Sequence, residues 1–156
     1  MNSLIVQLDQ LIEEKHPKLA SALLPGTSFE DLENKFGSIS GRVPNLLKEL
    51  WFWHDGQSQN YHGNFHSRTN EMLMSSQDAL ETMFELDDLV ESGDIDDDNW
   101  QSNWLPFSEN GGGNYTCVCL DSGDVHYYDK YKTSTGIRFS SFQEYLADLV
   151  DGYKKL

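Results

Sequence analysis

Positive charge is the most conspicuous absence. From residue 69 to residue 129 there is no lysine or arginine, while 15 aspartates and glutamates fall in that stretch. The other 11 acidic residues balance all 11 lysines and arginines, so the formal net charge of −15 arises in the middle of the chain. Phosphate contacts need a basic surface, so binding to nucleic acid or to an anionic membrane is disfavoured and a cationic partner is favoured. Cysteine is scarce too. Cys117 and Cys119, one residue apart, are too few for a disulfide scaffold and poorly spaced for a mutual bridge, so reduced thiols are expected. Residues 1 to 11 carry neither a basic cluster nor a continuous apolar run, which supports neither a secretory leader nor a membrane span and leads to the expectation of a cytoplasmic protein.

Signatures of catalysis are also missing. There is no Gly-x-Ser-x-Gly elbow, and the glycines 111 to 113 are not followed by the lysine of a phosphate cradle. A carboxylate pair for acid–base work has no distinguishing mark in a chain with 26 acidic residues. A small hydrolase of unknown substrate is therefore the minority reading, and no catalytic residue and no cofactor is assigned.

What is present is core-forming material. Aromatic residues make up 12% and hydrophobic residues 38% of 156 residues, enough for one domain spanning 1–156 with one core. Leu4, Leu8, Leu11 and Ile12 recur at helical spacing ahead of Pro17, and Pro25 and Gly26 break the chain. Thr27 or Ser28 can cap a second helix bearing Phe29, Leu32 and Phe36, stopped by Gly37. Pro44 suits the first turn of a third, with Leu46, Leu47, Leu50 and Trp51 as its stripe. Between residues 63 and 74 the pattern is mixed; Phe65 and Met72 to Met74 fit one or two strands. A longer helix, capped by Ser75 or Ser76, runs to about residue 92, with Ala79, Met83, Leu86 and Val90 on one face and Asp78, Glu81, Glu85 and Asp88 on another.

Residues 93 to 99 then add Asp94, Asp96, Asp97 and Asp98. Trp104 to Phe107 read as extended, residues 110 to 113 as a turn, 115 to 120 and 125 to 128 as a hairpin about Asp121-Ser122-Gly123-Asp124, and 137 to 139 as one more strand. Ser141 with Glu144 forms a capping box for a last helix that buries Phe142, Tyr145, Leu146, Leu149 and Val150. Helices first, strands later and a closing helix predict an α+β fold, a largely antiparallel or mixed sheet packed by N-terminal, middle and C-terminal helices.

In this order stand Gly26-Thr27, Leu32-Glu33, Phe36-Gly37, Val43-Pro44, the stretch ending Trp53-His54-Asp55-Gly56-Gln57, Trp104-Leu105-Pro106-Phe107, Gly113-Asn114, Leu120-Asp121 and Ser141-Phe142. The ordered set, from about residue 26 to about residue 153, resembles the Smi/Knr-type SUKH superfamily. Val43 departs from the leucine more usual before the proline, and the acidic stretch 94 to 98 is an insertion. The resemblance implies a SUKH-like α+β module without a catalytic centre, found in bacterial immunity proteins that neutralise toxins and in fungal regulators of cell-wall synthesis.

Physics adds that an acidic inhibitor can steer onto the basic surface of a toxin that attacks nucleic acids. The reading is a protein-binding immunity module whose partner, a basic toxin domain, is contacted through Glu81, Glu85, Asp88, Asp94, Asp96, Asp97 and Asp98. A cell-wall or signalling scaffold is the alternative. Asp94, Asp96 and Asp98 imitate the opening of a calcium loop, but Asn99 stands where that loop wants glycine and Leu105 where it wants glutamate, so no metal is assigned. Cys117, Cys119 and His126 can share one sheet face but lack a fourth ligand, and buried cysteines usually act as small apolar groups. His62 and His66 have helical ligand spacing across a Gly-Asn pair that opposes a helix. Tyr127 and Tyr128 alternate, so one is expected to be exposed as an interface anchor.

Overall fold

The computed structural model describes residues 1–131 and 137–156. Helices α1 (Ser3–Lys15), α2 (Pro17–Ala22), α3 (Phe29–Phe36) and α4 (Asn45–Trp53) come first. Strand β1 (Met72–Leu73), helix α5 (Ser76–Glu91), strands β2 (Trp104–Glu109), β3 (Tyr115–Cys119), β4 (Val125–Tyr128) and β5 (Ile137–Phe139), and helix α6 (Phe142–Lys154) follow. The strands form one antiparallel sheet in chain order, so the fold is α+β as expected. No helix among the described residues is long and apolar enough to cross a membrane.

The first half differs from expectation in three places. Pro17 does more than stop α1: its fixed φ and missing N–H suit a helix start, and it opens α2. Pro44 stands just before the first helical residue of α4, at the N-cap, and residues Gly37–Arg42 form a 3₁₀ turn that has no apolar period to betray it. Phe65 is buried but lies outside any strand; Met72 and Leu73 form the ladder with β2, and the Met74 N–H just beyond them donates to Phe107 O (3.0 Å).

Alternation along β3 and β4 divides the side chains between two faces. Tyr115 and Cys117 stand opposite Tyr128 and His126 on one face, where Trp100 meets Tyr128 edge-on at 5.4 Å between ring centroids. Thr116 and Val118 occupy the other face, with which Phe107, Phe139 and Tyr145 of α6 pack. Helix α1 packs outside α6, and the Lys15 ammonium donates to the carbonyls of Lys154 and Leu156 (both 3.1 Å). One hydrophobic core runs from Ile5 to Tyr153.

Residues 23 to 27 lie backbone against backbone with 51 to 57: Thr27 N–H donates to Trp51 O (3.0 Å), Asp55 N–H to Pro25 O (3.2 Å) and Leu24 N–H to Gly56 O (2.9 Å). This approach explains Gly26. A Cβ there would stand 1.8 Å from the Phe52 carbonyl oxygen, which belongs to α4 backbone and cannot swing aside. Gly26→Ala is expected to cost about 2–4 kcal/mol through overpacking. A urea midpoint within error of the wild type would show that the two segments separate easily.

Candidate functional site

Helix α5 starts where Ser75 Oγ accepts the Asp78 N–H (3.1 Å), and it buries Ser76, Ala79, Leu80, Met83 and Leu86. Val90, expected on the same stripe, is only half-buried. Glu81, Glu85 and Asp88 follow at i, i+4 and i+7 and form an exposed strip. The helix contains no lysine or arginine to offset them, and Asp87, Asp88 and Glu91 face the negative end of its dipole. Phe84, 53% exposed, sits inside this strip, three residues after Glu81 and four before Asp88.

The acidic loop is built onto the end of the helix. The Leu89 carbonyl accepts the N–H groups of Asp94 (2.9 Å) and Ile95 (3.1 Å), Ser92 Oγ donates to the Asp94 carboxylate (2.8 Å), and Ile95 packs against the core. Trp100 anchors the far end: it is buried, and its indole N–H donates to Asp87 Oδ1 (2.9 Å). Between these anchors Asp94, Asp96, Asp97 and Asp98 are exposed, and the carboxylates of Asp96, Asp97 and Asp98 lie within 4.8 Å of one another. All seven sequence-assigned residues thus stand on α5 and the loop that continues it.

Beside the loop lies a cleft of about 550 Å³, walled by Leu86, Leu89, Ile95, Tyr115 and Tyr128, rimmed by Asp94 and Asp96, and closed by Lys130 and Tyr131. Tyr131 is 82% exposed. Burial, then Glu109 and Glu85, raise the Tyr115 phenol, so it remains a neutral hydroxyl beside the acidic strip. The expectation for Tyr127 and Tyr128 is corrected. Tyr128 is buried under Trp100, and Tyr127 is half-covered, with Arg138 over its ring at 4.9 Å and the Asn114 amide donating to its oxygen (3.2 Å). The exposed apolar side chains here are Phe84, Leu89 and Tyr131. The first two fall off the buried stripe of α5, a signal already present in the spacing.

The remaining sequence candidates have structural surroundings. Cys117 and Cys119 are buried, and burial raises the Cys117 thiol well above its ordinary range, so it stays protonated at neutral pH. His126 stacks on Trp104 at 4.7 Å. His62 is exposed, whereas His66 is buried with Nε2 3.1 Å from Asp148 Oδ2 and Nδ1 accepting the Arg68 N–H (3.1 Å).

Two carboxyls of this face respond to pH in an unusual direction. Burial pushes Asp87 up, an effect that the Trp100 N–H opposes and Asp88 and Glu91 reinforce. Burial and then Asp78 raise Glu109. Both bind a proton more readily folded than unfolded. Their contribution to stability is full below the ordinary carboxylate pKa of about 4 and is lost as pH rises through the raised folded values. As pH falls from 7 towards the carboxylate range these two carboxyls add stability, whereas His66, held below the ordinary imidazole range first by burial, removes it. The carboxyl share of the trend in thermal midpoint, followed by circular dichroism, is therefore read by comparing wild type with a variant. Asp87→Asn, which keeps an acceptor for Trp100, is expected to raise the midpoint more at pH 7 than at about pH 5. An equal shift at both would assign the carboxyl share to other groups. Asp121 and Asp151, held below the usual range first by Asn103 and by Arg68 respectively, lose their contribution only at lower pH.

Residues 26–148, which include the whole acidic face, match the family model described as SMI1 / KNR4 family (SUKH-1). No curated protein matches the chain.

Proposed function

The chain belongs to the SMI1 / KNR4 (SUKH-1) family, and from that premise we propose that it is a non-enzymatic immunity protein that neutralises a basic toxin domain by covering it. The observation that carries this reading is the joining of α5 and the loop after it into one acidic face with an exposed aromatic, Phe84, inside it. Like charges at helical spacing cost about 0.2–0.5 kcal/mol per pair and acids near a helix C-terminus a similar amount. A surface that destabilises its own helix fits a role outside the fold. Charge brings a basic partner in, and Phe84, Leu89 and Tyr131 supply the apolar contacts that hold it. The protein is expected to act in the cytoplasm, with no role for nucleic acid or membrane.

The test is capture of partners from native cells on tagged protein at low and high salt, followed by affinity measurement with the purified partner. One basic, toxin-like protein that salt weakens supports the reading; several cell-wall or signalling proteins would replace it with a scaffold role. Phe84→Ala is expected to weaken the purified complex by about tenfold or more while leaving unfolding unchanged, because the ring is exposed. An unaltered affinity would remove Phe84 from the interface.

A further inference from the structure

On the sheet face opposite α5, where Thr116 points, a second feature has no part in the acidic surface. Glu71 is only 4% exposed, and its carboxylate accepts the Thr116 hydroxyl (2.6 Å). Among the described residues no lysine or arginine forms an ion pair with it. A cavity of about 100 Å³ is lined by Glu71, Thr69, Tyr145, Arg138, His66 and Asp148, among others. Two buried hydroxyls of that lining, Tyr145 Oη and Thr69 Oγ1, have no hydrogen-bond partner among the described residues, and Tyr145 is only 2% exposed. Buried polar atoms are normally satisfied, and a buried carboxylate without a cation is costly. Glu71, Thr69 and Tyr145 thus bring one buried carboxylate and two buried hydroxyls to the walls of one small space, a set that calls for a guest with donors and positive charge.

The neighbouring charges are already committed. Arg68 pairs with Asp148 and Asp151, His66 is engaged at both ring nitrogens, and Arg138 lies over Tyr127 at the exposed rim. The lining thus sets a buried carboxylate, Glu71, against an exposed guanidinium, Arg138. We propose that this cavity binds a primary ammonium group, whose three N–H donors match the Glu71 carboxylate, the Thr69 hydroxyl and the Tyr145 hydroxyl. Such a group arrives on a free amino acid, whose carboxylate would meet Arg138, or on a lysine side chain.

Methylammonium, glycine and acetate, titrated separately into the ¹⁵N-labelled full chain at constant ionic strength, distinguish these cases. Methylammonium and glycine are expected to give saturable shifts at the amides of Thr69, Glu71 and Thr116, with dissociation constants in the millimolar range or weaker, as very small ligands permit; acetate gives none. Tighter binding of glycine points to a free amino acid, and equal binding to a side-chain ammonium. Glu71→Gln is expected to weaken binding about tenfold or more. Should Glu71→Gln disturb folding, Tyr145→Phe and Thr69→Val, which keep shape and remove one hydroxyl each, are expected to weaken it severalfold. Absence of saturable methylammonium shifts, equal binding of acetate, or affinities unchanged in all three variants would overturn the proposal and leave a cavity that holds only water.

Discussion

Replacing Glu81 and Glu85 by glutamine and Asp88, Asp94, Asp96, Asp97 and Asp98 by asparagine together is expected to slow association with the basic partner by about 10- to 1000-fold at low salt. Removing seven charges takes the formal net charge from −15 to −8, and all seven come from one face. Exposed charges of this kind act mainly on the encounter, so the dissociation rate should change much less. The screening length is about 10 Å at 0.1 M salt, and raising salt should therefore slow the wild type strongly and the variant only slightly. Folding should not suffer. The amides keep the acceptors used by Gln77 at Glu81 and by Ser92 at Asp94, and each like-charge pair relieved on α5 returns about 0.2–0.5 kcal/mol. Stopped-flow mixing across a salt series reads both effects, and equal rates in the two proteins would sink the assignment of these residues.

Trp100→Ala is expected to cost about 3–5 kcal/mol in urea unfolding, the range for deleting a buried aromatic. The residue does three things at once. It fills the core edge-on to Trp104 and Tyr128, at 5.6 and 5.4 Å between centroids; it donates to Asp87; and it fixes the end of the acidic loop. Trp100→Phe retains much of the packing but leaves the Asp87 carboxylate without its N–H, a loss of about 1–3 kcal/mol. Because the loop carries Asp94, Asp96, Asp97 and Asp98, Trp100→Phe should also weaken partner binding through a less ordered loop, although Trp100 itself is buried. A loss under about 1 kcal/mol for Trp100→Ala would mean that the loop is held by Ile95 and the Leu89 carbonyl alone.

The parts of this fold that were legible in the sequence are those whose signal is local. Ser75, Ser28 and Ser141 cap their helices through side-chain oxygens, and the paired turns at 110 to 113 and 121 to 124 separate β2, β3 and β4. The acidic strip was legible because helical spacing alone aligns Glu81, Glu85 and Asp88. What escaped was short or depended on tertiary partners. Helix α2 has six residues and a proline that reads equally well as a stop, whereas the strand expected over Met72 to Met74 is present but only two residues long. Phe84 stands among charged neighbours, off the buried stripe, where the helical period gives an aromatic no assigned place. The cavity joins Glu71 to Thr116, 45 residues apart, and His66 to Asp148, 82 apart, and no local pattern links either pair.

Amide hydrogen exchange on the complex with the captured partner tests the central claim most directly. The account predicts added protection from residue 77 to residue 99, covering the exposed strip of α5 and the loop that extends it, with little change along α1 and α6. Protection confined to α1, α6 or the β3–β4 hairpin, with residues 77 to 99 exchanging as in the free protein, would contradict it.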